Sequence, residues 1–301
     1  MTDLDPKAAH LHHLLLTDDE VAQTDLDSLA RSWFPGAGQI SMDAITLGPG
    51  VFLTGPWAVG GDLRARLDAP TWATSAYLAL CPAERAGALP PDLLGTDPIL
   101  DAYPHGVPTG TELEVLRFLA AAARRLAGAL HPAGTAVLLQ PDPASAVDLA
   151  VFAPTSLTAE AVAAEIGRDD VVLDGRTRRT WSISMPALPA RRRGRRAAVV
   201  TGVGAGDAEP AGILQVVSDR HPMPPLAIGA LDWATPGARG YEVRWHPPEE
   251  YLARPGRLSL SQRRVRAAVI VEVERIAHAV QQLAGGVVVD DDGFLVALDA
   301  S

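Results

Sequence analysis

Three stretches of the chain carry residue types that could do chemistry. The first is Asp290-Asp291-Asp292-Gly293. Clustered carboxylate oxygens suit hard cations such as Mg²⁺ or Ca²⁺, but a calcium loop spreads its acids over about twelve residues and closes on a glutamate. Here Phe294-Leu295-Val296 follows at once. The stretch therefore reads as a hairpin turn, with Asp-Gly supplying the positive φ angles of a type I′ turn between 287–289 and 294–296.

The second stretch is Pro189-Ala-Arg-Arg-Arg-Gly-Arg-Arg196. Over residues 168–196 nine arginines face three aspartates, a local balance of +6 in a chain whose net charge is −10. Guanidinium forks grip phosphates and carboxylates bidentately. Arg191, Arg192, Arg193, Arg195 and Arg196 are thus the candidate residues for an anionic ligand or an acidic partner. No aromatic residue is interleaved within 190–196, so a base-stacking platform is not indicated. The bland reading is a solvated hairpin loop.

The third is Thr201-Gly-Val-Gly-Ala-Gly206, which follows a β-like run. A dinucleotide fingerprint needs G-x-G-x-x-G opening a helix. Asp207, Glu209-Pro210 and Gly212 deny that helix, and the loop reads as a strand connection. The eight histidines are scattered, and His10-x-His12-His13 is read as a solvated face or edge. Tyr241, Trp245 and His246, with Trp233 nearby, could line a pocket; in a chain only 5% aromatic they read first as core anchors.

Composition excludes several chemistries. Lys7 is the single lysine, leaving 25 arginines, a bias of the kind that GC-rich bacterial coding produces. A P-loop needs Gly-Lys-Ser/Thr and Schiff-base catalysis needs a buried lysine, and the sequence offers neither. Cys81 is the only cysteine, so no intrachain disulfide or cysteine-based zinc site can form. The negative charge disfavours general binding to nucleic acid. No apolar run is long enough to span a bilayer, and no secretory leader is visible, so the expected location is the cytoplasm. No cofactor and no metal site is expected.

Elements must position whatever function exists. Residues 1–10 read as a loose tail and 11–16 as a strand. Thr17-Asp-Asp-Glu20, Thr111-Glu-Leu-Glu114 and Ser259-x-x-Gln262 read as capping boxes opening helices. The helix over 111–130 carries an apolar stripe through Leu113, Leu116, Ala120, Ala123, Ala127 and Leu130; that over 259–284 carries Val265, Val269, Val273, Ile276, Val280 and Leu283. Residues 81–110 read as a long, proline-rich irregular wrap.

The two helices echo each other about 150 residues apart. Val115, Leu119 and Leu126 fall opposite Val265, Val269 and Ile276, and Ala133-Gly134 falls opposite Ala284-Gly285. The fold expected is α+β, mainly antiparallel sheet with two long packed helices. It divides into an N-terminal half over 1–153 and a C-terminal half over 154–301, tandem copies forming an internal pseudo-dimer. With the standard catalytic motifs missing, the leading functional reading is a non-catalytic regulatory, adaptor or scaffold protein that binds a protein partner or itself. The alternatives are a hydrolase-like enzyme using carboxylate, histidine and arginine in a cleft between the halves, and an anion- or nucleic-acid-binding module using 191–196.

Overall fold

A computed structural model describes residues 2–175, 180–187, 211–220, 224–229, 231–234, 237–252 and 258–298. The chain divides into two units, Met1–Ser145 and Ala146–Ser301.

The first unit runs α1 (Pro6–Leu11), β1 (His13–Thr17), α2 (Gln23–Trp33), β2 (Gly38–Ser41), β3 (Ala44–Gly48), β4 (Val51–Ala58), α3 (Gly61–Arg66), β5 (Ser75–Leu80), α4 (Pro98–Asp101), α5 (Gly110–Arg125) and β6 (Ala129–His131). Its sheet has the order β2-β3-β4-β5-β1-β6, every pair antiparallel. All five residues of β1 are buried. Helix α5 packs on β1 and β6. Leu14 and Leu16 instead join Val59, Leu63 and Ala73 from the connection between β4 and β5. One strand is thus covered on both faces, which explains its unbroken Leu14-Leu15-Leu16 run.

The second unit runs β7 (Leu149–Ala153), α6 (Ala159–Ile166), β8 (Val172–Asp174), β9 (Trp181–Pro186), β10 (Ile213–Arg220), α7 (Leu226–Gly229), β11 (Arg239–His246), α8 (Glu249–Leu252), α9 (Leu260–Ala284), β12 (Val287–Asp290) and β13 (Leu295–Val296). Its sheet has the order β8-β9-β10-β11-β7-β12-β13, again all antiparallel. Helix α9 packs on β7, β11 and β12. Its apolar stripe, Val265, Val269, Val273, Ile276 and Val280, is buried in the core of the unit. Among the described residues no helix is long and apolar enough to cross a membrane.

The α+β class with antiparallel sheets and two long helices is therefore as the sequence indicates. Read from β2 and from β8, the two strand orders are one plan, with β13 added in the second unit. Registers extend the match to single residues. Leu15 pairs with Tyr77 and Val151 with Tyr241. Both tyrosines are buried, and both hydroxyls tie down the loop that enters the next helix. Tyr77 Oη donates to the Val21 carbonyl at 3.2 Å, and Tyr241 Oη accepts from the Leu157 N–H at 2.7 Å. Val21 and Leu157 each lie six residues beyond the paired strand residue.

The helix ends correspond as well, but not as the sequence echo set them. Helix α5 stops at Arg125, where Ala127 turns left-handed (φ 52°), and α9 stops at Ala284, where Gly285 does (φ 69°). Each is followed by a glycine pressed on a carbonyl. A Cβ on Gly128 would lie 2.5 Å from the Leu16 oxygen, and one on Gly286 would lie 2.1 Å from that of Phe152. The crowding lets β6 and β12 turn straight back beside β1 and β7. The equivalent pair is Ala127-Gly128 with Gly285-Gly286, and Ala133-Gly134 lies beyond β6.

Other local expectations shift for physical reasons. The expected division after 153 cut through a sheet: β7 pairs with β11 and β12, so residues from 146 onward belong with the second unit. The expected loose tail contains α1, started by Pro6 at its first position and by the Asp5 carboxylate accepting the Lys7 N–H. Thr17 ends β1 rather than capping α2, which Asp25 caps by accepting the Ala22 N–H at 2.9 Å. The box at Ser259 forms as read, with Gln262 reaching back to the Ser259 N–H at 2.8 Å. The two tyrosine hydroxyls supply the first test. Tyr77→Phe is expected to cost about 1 kcal/mol of unfolding free energy and Tyr241→Phe more, because its hydroxyl both accepts from Leu157 and donates to Thr155; urea denaturation checks both.

Candidate functional site

Among the described residues, a buried cluster of titratable side chains lies at one end of the first unit. Strand β1 begins with His13, which is 3% exposed, and the first turn of α5 carries Glu112, 1% exposed. The irregular strap between β5 and α5, residues 81–109, supplies Cys81, Glu84, Arg85 and Tyr103. The Ala133 N–H donates to His13 Nδ1 at 2.9 Å. A ring nitrogen that accepts cannot carry a proton, so the hydrogen sits on Nε2, which faces Glu112 Oε1 at 3.2 Å. Arg85 Nη2 donates to the same oxygen, and the Glu84 N–H donates to Glu112 Oε2 at 2.8 Å. Arg85 also lies 3.7 Å above the Tyr103 ring and donates to the Gly106 carbonyl at 3.2 Å. Tyr103 Oη donates to the Ala133 carbonyl at 3.0 Å.

Burial and the nearby Arg85 charge lower the His13 pKa to about 4. Burial pushes the Cys81 thiol up to about 11, with Glu112 adding to the effect. Burial likewise raises Tyr103. These groups are of the types that catalysis uses, yet their surroundings disarm them. Both His13 nitrogens are engaged, leaving no lone pair for a substrate proton. The thiol is protonated at neutral pH and is a poor nucleophile. The cluster clamps three pieces of chain, the strand, the strap and the helix start, around one carboxylate.

The strap also explains the missing cap. Glu84 Oε2 accepts the Thr111 N–H at 2.9 Å, so α5 is capped from 27 residues upstream. Its N-cap residue is Thr109, whose side chain makes no capping bond, and the Thr111 box does not form.

The second unit carries an open groove of about 350 Å³ on its sheet, lined by Asp174, Thr180, Ser182, Gln215, Val217 and Asp219, with Trp181 and Ser218 beneath. Alternation along β10 sends Gln215, Val217 and Asp219 to this outer face and Leu214 and Val216 to the core.

Of the candidates read from sequence, Arg191, Arg192, Arg193, Arg195 and Arg196 lie outside the described residues, as do the 201–206 loop and His221. Asp290 is the pivot of a turn: its Oδ1 accepts the N–H groups of Asp292 at 3.0 Å and Phe294 at 2.9 Å. Only Gly293 in that turn has positive φ, so it is not the two-residue type I′ turn expected. Among the described residues no group of three or more His, Cys, Asp or Glu side chains is placed to hold a metal. Tyr241 and Trp245 are core anchors, the Trp245 indole donating to the Ala211 carbonyl at 2.7 Å. Of the three N-terminal histidines, His10 is exposed as read, whereas His13 is buried.

Sequence reasoning missed the pairing of His13 with Arg85 and Glu112. One signal was present: Glu112 shares the helical stripe of Val115, Leu116, Leu119 and Ala123, which makes it a carboxylate on a core-facing side. Comparison with protein-family models, with curated proteins and with solved structures finds no match.

Removing the shared acceptor tests the clamp. Glu112→Ala leaves Arg85 and His13 without their partner and is expected to destabilise the first unit by roughly 3–5 kcal/mol in equilibrium denaturation. A loss below about 1 kcal/mol would mean that the carboxylate holds little.

Proposed function

We propose that the chain is a non-catalytic regulatory or adaptor protein and that it binds a partner protein along the β8 edge of its second unit. The observation that carries this reading is the chemistry of that edge. Strand β8 is the outermost strand of its sheet and pairs only with β9 among the described residues. One row of its backbone donors and acceptors therefore points away from β9, a template onto which an extended segment can add as a further strand. Two of its three side chains are apolar yet unburied, Val172 at 66% exposed and Leu173 at 44%, and the third is the exposed Asp174.

Natural edge strands are usually blunted by charge, proline or cover; here the only charge on the strand is Asp174 at its end, and Val172 and Leu173 stay apolar and exposed. The groove lies beside β8, with Asp174 on its rim. A partner strand laid there would meet hydroxyl, amide and carboxylate groups along one flank, which favours a segment carrying basic or hydroxyl side chains. The disarmed cluster of the first unit is consistent with a protein that binds rather than transforms. Tandem duplication of one ancestral unit is part of the same proposal, supported by the matched strand orders and by the paired tyrosines.

The experiment is a paired capture from the native host, with the wild-type chain and the Val172→Lys, Leu173→Lys double variant as bait. A partner that depends on the edge should fall by at least ~tenfold with the variant, the effect of losing about 1.4 kcal/mol of binding. The thermal midpoint should not move, since both side chains are exposed. Equal recovery of every co-eluting protein by both baits would contradict the proposal.

A further inference from the structure

We infer that the strap over residues 81–109 is a latch that protonation of His13 releases. The geometry carries this. Ala133 is held at both its polar groups, its N–H by His13 Nδ1 and its carbonyl by Tyr103 of the strap. A proton added to Nδ1 would set two donors, the ring N–H and the Ala133 N–H, against each other at 2.9 Å. One of them must move. The nearest acceptor within reach is Tyr103 Oη, 3.5 Å from Nδ1, and taking it pulls Tyr103 from its place. Tyr103 carries the Arg85 guanidinium on its ring, so the displacement reaches both anchors of the strap.

Every charged group facing His13 bears on the switch. Glu112 on α5 favours the imidazolium; Arg85 on the strap, His12 beside it and His131 on β6 oppose it. Cys81 and Tyr103 stay neutral throughout the range concerned, both pushed up by burial. His13 itself is held down to about 4, chiefly by burial. A histidine depressed in the closed state and ordinary in the open one favours closure above its open-state pKa near 6.5, and closure weakens as pH falls towards about 4.

The second unit shows that the shared fold does not require this device. Register places Leu149 where the first unit has His13, since the paired partners Ala79 and Val243 each lie two residues beyond the equivalent tyrosines. Gln262 stands at the third helical position of α9, as Glu112 does in α5, and there it closes an ordinary capping box. The connection preceding α9 spans 247–259, far shorter than the strap. The charged cluster occurs where a long strap must be fastened.

The test is hydrogen exchange on the full chain at pH 7 and pH 4.5, expressed as protection factors corrected for intrinsic rates. The strap amides Ala86, Leu89 and Val107 donate to other parts of the strap and report its closure. Their protection should fall by about fiftyfold on acidification, while amides of α9 hold theirs. His13→Leu, which copies the residue of the second unit, should make strap protection independent of pH over this range. Strap protection unchanged in the wild type, or falling as steeply in His13→Leu, would overturn the inference. Should His13→Leu fail to fold, the wild-type His13 ring resonances decide: they must titrate with the same midpoint as strap opening, and a separate midpoint overturns it.

Discussion

Each unit contains one strand, β1 or β7, that must be shielded on both faces, and the rest of the unit follows from that need. A strand such as Leu14-Leu15-Leu16 gains stability only if apolar surface meets it from above and below. The long helix supplies one cover. The connection between the fourth and fifth strands of the unit supplies the other, through Val59 and Leu63 in the first unit and Ile228 in the second. For a last strand to return beside the shielded one, the chain must leave the helix and touch the strand's own carbonyl row. Only glycine fits there, at Gly128 and Gly286.

Polar groups inside such a layer must be paired, and the two units solve this differently. The tyrosine hydroxyl is common to both and fixes the loop before the first helix that follows the shielded strand. The cluster around Glu112 lies in the first unit, and among the described residues the second unit has no counterpart at the equivalent positions, Leu149 and Gln262. In the first unit Glu112 accepts from His13, Arg85 and the Glu84 backbone at once, so both oxygens of the buried carboxylate are engaged. The outcome is a neutral histidine, a protonated thiol and an anchored strap. Reactive residue types are assembled, but in states that hold chain segments together.

Much of the fold was legible because it is local. The apolar stripe of α9 and the proline-rich 81–110 stretch are written in short-range periodicity and in proline placement. Helix α5, by contrast, ends at Arg125, and its buried face runs through Val115, Leu116, Leu119 and Ala123; Ala127 is exposed and Leu130 belongs to β6. The cluster was not legible, because its members lie far apart in sequence and meet only when β1, the strap and α5 pack. Glu112 on an apolar stripe was the one local hint. Capping failed at Thr111 for the same reason: the group that satisfies its N–H comes from Glu84, and spacing rules search only the next three residues. The residue-by-residue echo between the helices does not match the observed helix ends. Helix α9 has 25 residues and α5 has 16, so a match begun at the caps drifts out of step before the glycines.

The central claim is that the first unit's cluster is a closed, fully bonded clamp built on a neutral His13. A long-range proton–nitrogen NMR spectrum of the intact chain at pH 7 tests it most directly, because it reports which ring nitrogens carry hydrogen. The clamp requires a bare Nδ1 accepting from Ala133 and a protonated Nε2 facing Glu112. A His13 ring protonated on Nδ1, or on both nitrogens, would contradict it.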